Sequence, residues 1–95
     1  MIVLWAREAE SDLEAIVSYI AEEDVDAAIR MDVLFRSKAR ELAQYPLMGH
    51  EGRIGGTREL LAHRNYLLIY RIQEAAVEIV ALVHTAQHYP PERLS

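Results

Sequence analysis

The sequence predicts an α+β domain of order β-α-α-β-β-β, with an antiparallel helical hairpin packed on one face of a small antiparallel sheet. Three observations predict it. Apolar residues recur at helical spacing in two successive stretches within 9–42, and three later stretches within 57–85 alternate at strand spacing. Between them lies a segment, 46–56, that holds every glycine of the chain: Gly49, Gly52, Gly55 and Gly56.

Residues 2–5, Ile-Val-Leu-Trp, are β-branched, aliphatic and aromatic and read as a short buried strand. Ala9, Leu13, Ile16, Val17 and Ile20 then form one stripe of an amphipathic helix, with Glu10, Glu14 and Ser18 on its polar side. Ala6 stands where a capping Ser, Thr or Asp would satisfy free amides, and Glu8 and Glu10 compensate in part through the helix dipole. Glu22-Glu23-Asp24 ends that helix, and Asp24 or Asp26 caps the next. Ala28, Met31, Phe35, Ala39 and Leu42 make the second stripe, which reads as core and stops at Tyr45-Pro46 because proline cannot continue a helix. Two helices so closely joined run antiparallel.

Segment 46–56, PLMGHEGRIGG, is a long loop for so small a domain and is therefore expected to be functional or mobile. Phosphate-cradling glycine loops lead from a strand into a helix, whereas this one leads from a helix into a strand, so a nucleotide site is not expected. Strands follow over 57–62, 66–72 and 77–85, joined by turns at 63–65 and 73–76. Strict alternation places Tyr66, Leu68, Tyr70 and Ile72 on one face and Leu67, Ile69 and Arg71 on the other. In the last strand it sets Val77, Ile79, Ala81 and Val83 against Glu78, Val80, Leu82 and His84. The face away from the helices is thus expected to be open, apolar and cationic at once, as a surface that is meant to be covered. The tail, 86–95, contains Pro90-Pro91 and little apolar content, and is expected to be extended or frayed.

Ninety-five residues form one domain, 1–95, and 52% hydrophobic with 26% charged residues is ordinary globular composition. The absence of cysteine excludes a disulfide scaffold and thiolate metal sites and fits a cytoplasmic protein. No apolar run approaches a bilayer span, and residues 1–5 are too short for a signal peptide, so neither a membrane nor a secreted role is expected. Residues 1–45 carry ten acids against five bases, while 46–95 balance five against five. Within 53–71, Arg53, Arg58, Arg64 and Arg71 stand against Glu59 alone, a local cationic patch on an acidic protein of net charge −5. His84 and His88 have a spacing that binds metal on a helix, but they follow a strand and precede two prolines, so no metal and no cofactor is expected.

The chain resembles the RelE/ParE superfamily of toxins from bacterial type II toxin–antitoxin systems. Trp5-Ala6-Arg7-Glu8-Ala9-Glu10-Ser11-Asp12-Leu13-Glu14-Ala15-Ile16 is similar to the family's opening "W…A…DL..I", and Tyr45-Pro46 with Gly49, Gly52 and Arg53 to its "P..G..R" loop. Gly56-Thr57-Arg58-Glu59-Leu60, Tyr66 with Tyr70-Arg71, and His84 with Tyr89-Pro90 resemble "GTREL", "Y…YR" and "H…(W/Y)P". The likeness spans 3–90. Ala6 departs from the usual capping Thr or Ser, and Gln87-His88 stands where many relatives have an arginine.

The resemblance implies a growth-inhibiting, plasmid-stabilising toxin neutralised by a cognate antitoxin, which alone would contact operator DNA. It also implies one of two targets: DNA gyrase for ParE-like members, or the ribosome, where RelE-like members cut messenger RNA. Ribonuclease chemistry needs proton-transfer groups and cations around the phosphate, and RNA affinity needs several basic residues. One lysine and a pI near 5.3 favour the gyrase reading. For a ribonuclease the candidates are Arg58 and Arg71 for phosphate charge, His84 or His88 for the proton, and Tyr89 for base stacking. For antitoxin or target contact they are Arg53, Arg58, Arg71, Leu67, Ile69, Leu82 and His84. A non-enzymatic binding module is the remaining alternative.

Overall fold

The computed structural model describes residues 1–86 and 91–94. Its elements are β1 (Ile2–Trp5), α1 (Arg7–Ala21), α2 (Val25–Gln44), β2 (His50–Glu51), β3 (Arg58–His63), β4 (Tyr66–Gln73) and β5 (Ala76–His84), followed by a 3-10 turn at Glu92–Leu94. The helices begin as their residues dictate. Ala6 offers α1 no side-chain cap, whereas the Asp24 carboxylate accepts from the Ala27 amide at 3.0 Å to open α2.

Five strands lie in the order β1-β5-β4-β3-β2. The expected antiparallel sheet is in fact mixed, because β1 pairs with β5 in parallel, Val3 opposite Val77 and Trp5 opposite Ile79. A parallel neighbour needs a long crossover, and here everything between β1 and β5 serves as one. Two-residue β2 is an added edge, with Glu51 opposite Arg58.

The second departure is a β-bulge. Ile69 pairs with Ala81 but Tyr70 pairs with Ile79, so Val80 has no opposite number and the alternation of β5 changes phase there. Leu82 and His84, expected on the outer face, therefore turn toward the helices, while Ala81 and Val83 turn away. The main core unites Ala9 and Leu13 of α1, Phe35, Ala39 and Leu42 of α2, and Leu68, Tyr70, Val77, Ile79 and Leu82 of the sheet. Phe35 meets Tyr66 edge-on at 5.3 Å between centroids.

Beyond Trp5, β5 has no strand on its outer edge, and α1 takes that place. The Asp12 carboxylate accepts from the Leu82 amide at 3.1 Å and also holds the Arg93 guanidinium at 2.7 Å. Arg93 donates in addition to the Val80 carbonyl exposed by the bulge. This anchors the C-terminal turn, so that Leu94 packs on Ile69, Val80, Ala81 and Val83. The outer face, expected open, is thus closed over that half, and residues 91–94 are a docked turn rather than a frayed tail.

Candidate functional site

The segment after α2 is held from beneath by two residues of the sheet. Tyr70 is fully buried, and its hydroxyl donates to the Pro46 carbonyl at 2.7 Å while accepting from the Gly49 amide at 3.0 Å. Arg58 stands opposite Tyr70 across β3 and β4, on the same face. Its guanidinium donates to the carbonyls of Leu47 and Gly49. Glycine is required at 49 because a Cβ there would lie 2.5 Å from the Glu59 carbonyl oxygen and 2.8 Å from the Tyr70 hydroxyl. The result is a braced loop whose apolar side chains face solvent: Tyr45 is 63%, Leu47 69% and Met48 41% exposed. Large apolar groups that are both exposed and held in place form a ready contact surface, since binding costs little further ordering.

Residues 52–57 form a tight turn of their own. The Gly52 amide donates to the Thr57 carbonyl at 2.8 Å, and the Thr57 hydroxyl donates to the Ile54 carbonyl at 2.7 Å. Gly56 has φ of +82°, a conformation that favours glycine. The carboxylate of Glu59, itself buried, accepts from the Arg53 amide at 3.1 Å. The glycine-rich loop is therefore built rather than slack, and it encloses a cleft of ≈ 370 Å³ bordered by Thr57, Arg58 and Ile72.

The candidate residues named from sequence are distributed, not gathered. Arg58 lies on the helix side, committed to loop carbonyls. Arg71 lies on the opposite face, with its Nε 3.4 Å from Glu78. His84 stacks edge-on against Tyr66 at 5.0 Å, beside Ile16 and Tyr19, and its Nδ1 accepts from the Ala86 amide. Arg53 is exposed near the β2 edge. Ile69 and Leu82 are buried at 0% and 2%, and Leu67 is half-buried beside Ile69, so these three offer little open surface. His88 and Tyr89 lie outside the described residues. Among the described residues, no group of three or more His, Asp or Glu could hold a metal and no helix is long and apolar enough to cross a membrane.

Sequence reasoning passed over Tyr45, Leu47 and Met48. The available signal was apolar residues flanking a proline within a glycine-rich loop, where solvation would favour polar ones. The strand expected to be buried is covered on one side only: Val3 and Trp5 pack on the core, whereas Ile2 and Leu4 are exposed at 60% and 49% on the outer side of β1. Leu4, Glu78 and Arg71 fall in one row across β1, β5 and β4, so the uncovered half of the outer face keeps an apolar and cationic character.

This fold, a helical hairpin on a five-stranded mixed sheet, is that of RelE/ParE-superfamily toxins. A structure described as the chromosomal ParDE TA system from P. aeruginosa superposes with a TM-score of 0.79 at 19% identity, covering 88% of this chain and 95% of that one. The YoeB/ParE toxin from Agrobacterium tumefaciens superposes with a TM-score of 0.65 at 18% identity, covering 94% and 100%. The model of the ParE toxin of type II toxin–antitoxin systems, parDE, matches residues 3–89, and the chain belongs to that family. The chain is 39% identical to Y4kP of Sinorhizobium fredii over 93% of its length and 92% of that protein's. It is also 34% identical to toxin RelE2 of Caulobacter vibrioides, over 90% and 96%.

Proposed function

We propose that this toxin arrests growth by gripping a protein target, DNA gyrase, rather than by cutting RNA, and that the braced loop at 45–48 is its principal contact. The observation that carries this reading is the engagement of Arg58. The side chain that a ribonuclease would aim at phosphate is bound instead to the carbonyls of Leu47 and Gly49, beside a buried Tyr70 that holds the same segment. Polar groups so used serve to present Tyr45, Leu47 and Met48. With Arg71 and His84 on different faces, the described candidates do not converge on one phosphate, as transition-state stabilisation requires. An acidic chain with a single lysine also gains little from counterion release on RNA.

Neutralisation falls to an antitoxin, which also supplies the contact with operator DNA. Its best-supported seat is the free edge of β1, where an added strand would pair with open backbone groups and set apolar anchors on Ile2 and Leu4. A carboxylate on that strand would face Arg71 in the adjoining row. The test uses purified toxin in two assays. Supercoiling by gyrase should stop at stoichiometric toxin while ribosome-bound message stays intact. Codon-specific cleavage of message in a translation extract, with supercoiling untouched, would overturn the reading.

A further inference from the structure

Helix α2 carries a second apolar stripe that its own fold leaves bare. Val25, Ile29 and Val33 recur every four residues and are 61%, 58% and 58% exposed, well round the helix from the buried Ala28, Phe35, Ala39 and Leu42. Beside the stripe stand Asp26 and Arg30, both exposed, and neither has an ion-pair partner among the described residues. Arg36, further along, is already bound to Glu10 and Asp32 and lies over the Trp5 ring, which closes the stripe at that end.

The pattern is symmetric about Ile29. Reversing the helix through a two-fold axis at that residue sets Ile29 on Ile29 of a second copy and Val25 on Val33 of the second copy. With a rise of about 1.5 Å per residue, Asp26 then comes within about 3 Å, measured along the axis, of Arg30 of the second copy, on the same side of the contact. The reciprocal pair forms by symmetry. A helix of some other protein would need no such self-complementary arrangement, whereas a two-fold interface demands it. We infer that α2 mediates an antiparallel self-association of the toxin, with Val25, Ile29 and Val33 as its apolar seam and crossed Asp26–Arg30 pairs as its register. Three apolar side chains from each copy bury less than the roughly 1,200 Å² at which standard-size interfaces begin, so the association is weak and reversible and shows only at high protein concentration. It leaves the loop at 45–48 and the β1 edge open, and it stands independently of the gyrase reading.

The chain has no cysteine, which makes the test direct. Ile29→Cys puts a thiol on the two-fold axis and should cross-link under mild oxidation at least tenfold faster than Leu47→Cys, an exposed position away from the seam. Sedimentation of the unmodified toxin should show concentration-dependent dimer. Asp26→Arg and Arg30→Asp should each weaken it severalfold, and the combined swap should restore it, with circular dichroism confirming that all variants are folded. A monomer at every concentration, equal cross-linking at positions 29 and 47, or charge swaps without rescue would overturn the inference. Protection of position 29 by bound antitoxin, with the free toxin monomeric, would overturn it in favour of an antitoxin helix on the same stripe.

Discussion

Replacing Tyr70 by phenylalanine removes one oxygen from the base of the 45–49 loop and leaves the ring that fills the core. Two hydrogen bonds go with it, to the Pro46 carbonyl and from the Gly49 amide. Pro46 is only partly buried, so that loss costs about 1 kcal/mol or less. Gly49 is buried, and its orphaned amide carries a desolvation penalty of about 1–2 kcal/mol. Together they amount to about 2 kcal/mol. A domain of this length unfolds with an entropy of about 0.2 kcal/mol/K at its midpoint, so Tm should fall by about 10 °C. Hydrogen exchange reads the same change locally, because about 2 kcal/mol corresponds to roughly 30-fold faster exchange of the Gly49 amide. Growth arrest should weaken in parallel, as the loop loses half of its brace. A Tm within about 3 °C of wild type, together with unchanged exchange at Gly49, would refute the claim that the hydroxyl holds the loop.

Three further outcomes follow from the geometry. Asp12→Ala strips the Leu82 amide and Arg93 of their shared carboxylate, so it should cost about 2 kcal/mol and raise proteolysis between 86 and 95, with the Leu82 amide exchanging faster. Asp24→Ala removes the N-cap of α2 and should cost about 1 kcal/mol, or roughly 5 °C in Tm, measured by thermal unfolding. Arg71→Ala breaks only a surface ion pair with Glu78, so Tm should barely change. Antitoxin affinity should nevertheless fall severalfold by calorimetry, and unaltered affinity would confine Arg71 to its pair with Glu78.

Most of the architecture is legible in the residues themselves. The two helical stripes, the Asp24 cap, the stop at Pro46 and the strands of the second half all rest on local chemistry, and each stands where that chemistry puts it. Three features needed knowledge of distant partners. Ile2–Trp5 is apolar throughout and bears no mark of which strand it will join, so its parallel pairing with β5 was hidden. Val80 has the same β-branched character as its neighbours, and nothing local marks it as the bulged residue that inverts Leu82 and His84. The docking of Leu94 depends on Arg93 meeting Asp12 across 81 positions of chain. The candidate site suffered from the same cause: a single phase change in β5 dispersed residues that strict alternation had gathered. Arg58 stands among the candidates for phosphate or partner contact, yet the groups it binds are backbone carbonyls, which no residue pattern displays.

The claim at the centre, that the loop braced by Tyr70 and Arg58 is the surface through which the toxin acts, has a direct test in growth arrest by Leu47→Asp combined with Met48→Asp, induced without antitoxin. Both side chains are exposed and neither belongs to the buried core, so the variant should keep its Tm within a few degrees. Expected is a folded protein that no longer stops growth. Full arrest by that folded variant would contradict the claim.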